Sequence, residues 1–212
     1  MDIIRQLSEN LQSGNARKVA EITQQAISAK LDTKKILDKG LIAGMTVVGE
    51  RFKCHEIFLP DVLLAAKAMY AGMDLLKPLL LKEGIPTIGK VLIGSVQGDL
   101  HDIGKNLVAI MLKGAGFEVI DLGNDVSPQK FIDTAEKENV DVIGMSALLT
   151  TTMPMMKKVV ELARERGLYG KKKFIVGGAP LSSEYAKEIG ADAYCFDGVS
   201  AVETVKRFVG TF

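Results

Sequence analysis

The 212-residue sequence sets 27 Lys and Arg against 26 Asp and Glu, a formal net charge of +1, with 47% hydrophobic and 25% charged residues. Those proportions belong to globular proteins and exclude bulk disorder and collagen-like structure, and so balanced a charge leaves no electrostatic footprint for nucleic acid or an anionic membrane. With only two histidines and two cysteines, any histidine chemistry rests on His55 or His101, and a four-ligand Cys/His zinc site is barely possible.

The first segment, MDIIRQLSENLQ, has no basic stretch followed by an apolar one, so no signal peptide is expected. No run of about 18 apolar residues follows, so no membrane span is expected either. Cys54 and Cys195 form no CxxC pair, which fits a reduced, cytoplasmic setting. Up to residue 88 every periodic segment reads as helix. Ile4, Leu7 and Leu11 share one face of a first helix, and Asn15 can cap a second that carries Val19, Ile22 and Ala26. Thr33 can cap a third, with Ile36, Leu37, Leu41, Met45, Val48 and Phe52 on its apolar side. Pro60 opens a fourth, with Leu63, Ala66, Met69 or Tyr70, Met73, Leu76 and Leu80 recurring along it. The expectation is a four-helix bundle domain over 1–88, joined by a linker and hinge at Gly84–Gly89 around Pro86 to a second domain over 89–212.

Beyond residue 88, short β-rich runs alternate with helical ones. Strands are expected at Lys90–Val96, Phe117–Leu122, Val140–Ala147, Lys173–Val176 and Ala193–Phe196. Helices are expected at Gly104–Gly114, Pro128–Glu138, Met153–Arg166, Ser182–Ile189 and Ala201–Val209. This alternation predicts an α/β domain with a flavodoxin-like five-stranded parallel sheet in the order 2-1-3-4-5 and helices on both faces. Ligands bind outside the carboxyl ends of such strands where the order reverses, which singles out the loops Gln97–Gly104 and Leu148–Thr152.

The first of these loops reads Gly98-Asp99-Leu100-His101-Asp102-Ile103-Gly104. An aspartate that accepts the far ring N–H is the usual device for orienting a metal-bound imidazole. One histidine cannot hold a free metal ion well, but it suffices for a metal already chelated in a macrocycle, as in haem or a corrinoid. No GxGxxG follows the first strand and no P-loop is present. A phosphoryl-accepting receiver domain would need an Asp ending strand three and a Lys ending strand four, where Ser146-Ala147-Leu148 and Gly177-Gly178 stand instead. Met145, Met153, Met155 and Met156 read as packing residues. His55 and Cys54 read as a solvated loop histidine and a buried thiol, and Lys105 as a helix-face lysine or a contact to a corrinoid phosphate or amide.

The three motifs resemble those of the corrinoid (cobalamin-binding) proteins of methyltransferase systems, which share the cobalamin module of methionine synthase. The family pattern is Asp-x-His-x-x-Gly, then Ser-x-Leu, then Gly-Gly, each ending a different strand. Here Asp99 to Gly104 is followed by 41 residues, Ser146-Ala147-Leu148, 28 residues and Gly177-Gly178. The resemblance implies that His101 is the lower axial cobalt ligand, that Asp99 accepts its far N–H, and that Thr152 stands where methionine synthase completes this relay with a serine. It implies that Ser146 and Thr150 bond the displaced base of the corrinoid, and that Leu148, Gly177 and Gly178 line the slot for its nucleotide tail. It further implies that Phe52 and Leu59, in Gly49-Glu50-Arg51-Phe52 and Phe58-Leu59-Pro60, belong to a cap over the upper cobalt face. The implied function is a methyl carrier of one-carbon metabolism that cycles between Co(I) and methyl-Co(III). It would take the methyl group from a substrate-specific methyltransferase and pass it to a second one acting on folate or a thiol, with a reductive activase as a further partner. Little or no turnover is expected of the chain alone. A corrinoid-binding regulator is the alternative implied by the same architecture, and it would need an output module.

Overall fold

In the computed structural model the chain forms two compact units, Met1–Thr87 with Gly114–Gly116, and Ile88–Lys113 with Phe117–Phe212; the residues described are 2–84 and 88–210. Ile85, Pro86 and Thr87 of the expected linker and hinge lie outside the described residues. Among the described residues no helix is long and apolar enough to cross a membrane.

The helical unit begins with α1 (Ile3–Gln12) and α2 (Ala16–Ser28), which bury Ile4, Leu7 and Leu11 and Val19, Ile22 and Ala26 as their spacing predicts. The Asn15 side chain accepts the Lys18 N–H at 3.1 Å, the expected cap. The third helix departs from expectation at its start. Asp32, not Thr33, is its cap, accepting the Lys35 N–H at 2.6 Å, while the Thr33 hydroxyl donates to Glu83 at 2.8 Å. A carboxylate is as good a cap as a hydroxyl, and the long-range partner of Thr33 decides which residue serves. The short α3 (Thr33–Lys35) continues through a π-helical turn (Ile36–Ile42) into α4 (Ala43–Lys53). The wider turn keeps both Ile36 and Leu41 fully buried.

The long α5 (Leu59–Lys82) has Pro60 in its first turn, and the Asp61 carboxylate accepts the Phe58 N–H at 2.9 Å. Its packed face runs through Val62, Ala65, Ala66, Met69, Gly72 and Leu76, whereas Leu63 is 44% exposed. Small residues carry the closest packing here, so a stripe drawn through the large ones alone is misplaced. Cys54, expected to be buried, is exposed, because it follows the last turn of α4 and the next residue, His55, turns the chain at φ 58°. Cys195 is the buried thiol.

The second unit comprises β1 (Lys90–Ser95), α6 (Ile103–Gly114), β2 (Glu118–Asp121), α7 (Pro128–Lys137), β3 (Val142–Ser146), α8 (Pro154–Glu165), β4 (Lys173–Gly177), α9 (Ser183–Ile189), β5 (Ala193–Tyr194) and α10 (Gly198–Val209). All strand pairs are parallel, in the order β2-β1-β3-β4-β5 that the alternation predicts. Leu92, Ile143, Phe174 and Val176 form one core with Phe131 and Ile132 of α7, Val159 and Val160 of α8, and Ile189 of α9. The alternate residues Val91, Ile93, Val142 and Ile175 are also buried, because helices cover both faces of a parallel sheet. Met145 and Met156 lie inside this core and Met153 and Met155 pack against it. The α10 helix starts three residues before the expected Ala201, since Asp197 and Ser200 cap it reciprocally, Ser200 N–H to Asp197 Oδ1 at 2.7 Å and Asp197 N–H to Ser200 Oγ at 3.0 Å.

Gly94 of β1 sits under the Phe131 ring, where an added Cβ would come within 2.8 Å of Cζ. Gly94→Ala should therefore overpack the core and cost about 1–3 kcal/mol. Gly104 has nothing within 4 Å of the same atom, so Gly104→Ala should leave stability unchanged or raise it by about 0.5–1 kcal/mol. Urea unfolding of the two variants checks the contrast; equal midpoints would contradict it.

Candidate cofactor site

The parallel register brings Ser95, Ser146 and Gly177 level with one another at the carboxyl edge of β1, β3 and β4. The sheet order reverses between β1 and β3, and the two loops singled out from the sequence leave from this point. They meet on one side chain, Asp99, which is fully buried. Its Oδ1 accepts the His101 backbone N–H at 3.0 Å and lies 2.8 Å from His101 Nδ1. Its Oδ2 accepts the N–H groups of Leu148 at 2.7 Å and Leu149 at 3.2 Å and the Thr152 hydroxyl at 2.8 Å. Thr152 Oγ1 is also 2.9 Å from the Leu149 carbonyl; it has one proton, and the charged acceptor is the stronger.

Burial by itself would push the Asp99 carboxyl up. The N–H groups of Leu148 and His101, the Thr152 hydroxyl and the His101 ring outweigh that effect and hold it far below the usual carboxylate range. An ionised Asp99 can only accept, so Nδ1 of His101 carries the shared proton. The His101 side chain is 51% exposed, and its Nε2, the ring nitrogen not used by Asp99, is left for a further partner.

The β1–α6 loop is also gripped from the β2–α7 side. Asp125 Oδ1 accepts the Gly98 N–H at 2.7 Å, the Asp125 N–H donates to the Asp99 carbonyl at 3.0 Å, and Asn124 Nδ2 donates to the Leu100 carbonyl at 3.3 Å. From β1 itself the Ser95 hydroxyl donates to the His101 carbonyl at 2.6 Å. These three residues were not anticipated from the sequence. A signal was available, because Asn124-Asp125 follows the strand that neighbours β1 in the expected order.

The Asp102 carbonyl accepts the Asn106 N–H at 2.7 Å as α6 begins at Ile103. Thr150 is exposed on the β3–α8 turn, and among the described residues no hydrogen bond joins it to Asp99. Gly178 has φ 136°, and a Cβ there would collide with the Ala147 carbonyl oxygen, so glycine is required by the close approach of two backbones. Phe52 ends the apolar side of α4 and Leu59 opens α5; both are half-buried. Lys105 fits neither reading made of it. Its side chain is 1% exposed and bonds both Asp121 oxygens at 2.6 Å and Asn106 Oδ1 at 2.7 Å, which ties α6 to the end of β2.

The donor set suits a metal that is already chelated. Among the described residues no group of three His, Cys, Asp or Glu side chains could hold a metal ion. What the edge offers instead is one oriented imidazole, open space over Gly104, and exposed apolar side chains: Leu100, Leu148, Leu149 and Phe196 in loops after β1, β3 and β5, and Ile103 at the start of α6. A large planar macrocycle matches that surface.

A carboxyl whose folded pKa is depressed stabilises the fold fully above its unfolded pKa, about 3.9, and loses that contribution as pH falls towards the folded value. Asp99→Asn places an NH2 group against N–H and O–H donors. It should cost about 1.5–3 kcal/mol near neutral pH, with the gap to wild type narrowing below about pH 4. Urea unfolding of the cofactor-free protein across that range measures it, and a gap that stays constant into acid would contradict the assignment.

Models of the B12 binding domain match residues 89–206 and, separately, residues 3–77. A corrinoid protein of Desulfitobacterium hafniense is 40% identical over 99% of both chains, and the dimethylamine corrinoid protein of Methanosarcina barkeri is 42% identical over 98% of both. Among solved structures, a chain of the methanol:cobalamin methyltransferase complex MtaBC of Methanosarcina barkeri is 30% identical with a TM-score of 0.89, covering 99% of this chain and 80% of that one. A cobalamin-binding protein of Desulfitobacterium hafniense is 30% identical with a TM-score of 0.80 over 98% of both. With an oriented imidazole at the switch point of its sheet and these relatives along its whole length, the chain belongs to the corrinoid proteins of methyltransferase systems, and its cofactor is a corrinoid.

Proposed function

We propose that the protein is a methyl carrier that works between a substrate-specific methyltransferase and a second methyltransferase acting on a folate or a thiol, with a reductive activase restoring the active cofactor. The observation that supports this most is the Asp99–His101 pair: an imidazole pinned through Nδ1 to a buried carboxylate, with the ring half exposed. A bound corrinoid would supply the methyl-accepting and methyl-donating chemistry. The residues of the chain have distinct tasks. His101 would hold the cobalt through Nε2. Asp99 fixes the tautomer and the ring plane, and Thr152 supports Asp99 from the far side. Ser146 and Thr150 supply hydroxyls for the displaced base, and Leu148, Gly177 and Gly178 border the slot for the nucleotide tail. The systems named by its relatives, dimethylamine, trimethylamine and methanol, give the donor enzymes to test first.

Apoprotein made with 15N-labelled histidine, mixed with hydroxocobalamin and freed of excess, should emerge coloured, and its Co(II) form should show 15N hyperfine structure from the His101 ring. His101→Ala should keep corrinoid and lose that structure. A wild-type protein that retains no corrinoid, or a His101→Ala variant with an unchanged spectrum, would overturn the reading.

A further inference from the structure

The loop that carries His101 turns from β1 into α6 within a few residues, and four of its backbone polar groups are bonded by residues outside it. Gly98 N–H, the Asp99 carbonyl, the Leu100 carbonyl and the His101 carbonyl are bonded in turn by the Asp125 carboxylate, the Asp125 N–H, the Asn124 amide and the Ser95 hydroxyl. Asp125 is the only one of these three residues that holds the loop twice, grasping Gly98 and Asp99 on either side of the peptide that joins them. It does so from φ 51°, a left-handed conformation that aspartate tolerates better than most residues but that still costs free energy. It is an exposed side chain on a surface turn, where neither burial nor core packing accounts for that conformation. The two contacts to Gly98 and Asp99 do.

We propose that Asp125 is a positioning residue for the cobalt ligand: by clasping Gly98 and Asp99 it fixes the backbone from which the Asp99 carboxylate aims the His101 ring. The proposal rests on the reading of His101 as axial ligand. The Asp99 side chain is held from the β3–α8 loop, through Leu148, Leu149 and Thr152, and its backbone from the β2–α7 loop, through Asp125. A carboxylate fixed at both ends leaves the imidazole one orientation. Released at the backbone end, the loop would let the ring wander without loosening the sheet, because no ladder bond of β1 or β2 involves the Asp125 side chain.

The test uses three substitutions at Asp125 in the full chain, made with 15N-labelled histidine, loaded with hydroxocobalamin and reduced to Co(II), read by EPR for the ratio of cobalt with 15N hyperfine structure to cobalt without it. Asp125→Gly retains the left-handed conformation and the backbone N–H but lacks the carboxylate. It should lower the ratio roughly tenfold, the scale of one lost hydrogen bond to a charged group, while the bound corrinoid stays stoichiometric. Asp125→Asn keeps an acceptor oxygen for the Gly98 N–H and should restore most of the ratio; Asp125→Leu should not. A wild-type ratio in Asp125→Gly would overturn the proposal, as would an equal loss in Asp125→Gly and Asp125→Asn. His101→Ala is run in parallel: if it leaves the wild-type spectrum unchanged, the ligand reading itself has failed, and that outcome is distinct from a failure confined to Asp125.

Discussion

A buried carboxylate is costly unless its oxygens are saturated, and Asp99 is saturated by donors from two loops that the sheet alone does not join. Its acceptors are filled only when the β1–α6 loop supplies His101 and the β3–α8 loop supplies Leu148, Leu149 and Thr152. Closing the edge of the sheet and orienting the imidazole are therefore one event. The competition between desolvation, which favours a neutral carboxyl, and five donors, which favour the anion, is won by the donors. The charge that results is what keeps the proton on Nδ1 and leaves Nε2 as a lone-pair donor. Had burial won, a neutral acid facing the ring would have left the tautomer undetermined.

The sheet provides the platform on which such an arrangement can be accurate. Parallel pairing sets Ser95, Ser146 and Gly177 side by side, and the Val96 N–H to Ser146 carbonyl bond at 3.0 Å and the Ala147 N–H to Gly177 carbonyl bond at 3.2 Å carry the registration past the last residues of the strands. Gly178 then brings its backbone against the Ala147 carbonyl, an approach that no residue with a side chain could make. The buried Lys105 ammonium group anchors the first turns of α6 to the partly exposed Asp121 at the end of β2. Both Asp121 oxygens and Asn106 Oδ1 accept from it, so the ammonium group is satisfied although its own side chain is out of water.

What the amino-acid order reveals and what it conceals divide along a physical line. Strand order, the loops at the switch point and an acidic partner for His101 were all legible, because each depends on alternation or on close neighbours in the chain; that Asp99 rather than Asp102 is this partner was legible only by resemblance. Thr152 was legible only by resemblance, since nothing local announces that a hydroxyl far along the chain will meet Asp99. Asp32 displaced Thr33 as a cap because Thr33 is claimed by Glu83, and Leu63 turned outward because alanines and Gly72 carry the packing of α5. Lys105 was misread for a similar reason. A lysine on an amphipathic helix is ordinarily solvated, and only the end of a neighbouring strand could show that a carboxylate waits inside. Asp125 escaped notice because its importance lies in a left-handed backbone and in two contacts to a loop from the preceding crossover, neither of which leaves a pattern in composition or period.

One carbon atom separates Thr152 from a serine. Its methyl group lies over Gly98, where an added Cβ would be 3.4 Å away. A branched β-carbon has few staggered positions to choose from, and the neighbouring backbone removes more of them, so the hydroxyl arrives already aimed at Asp99. A serine would have to be caught in that rotamer from three. The methyl group thus acts as a torsional stop, and its benefit is entropic: the hydroxyl should keep its aim with rising temperature, when a freer rotor would begin to turn away.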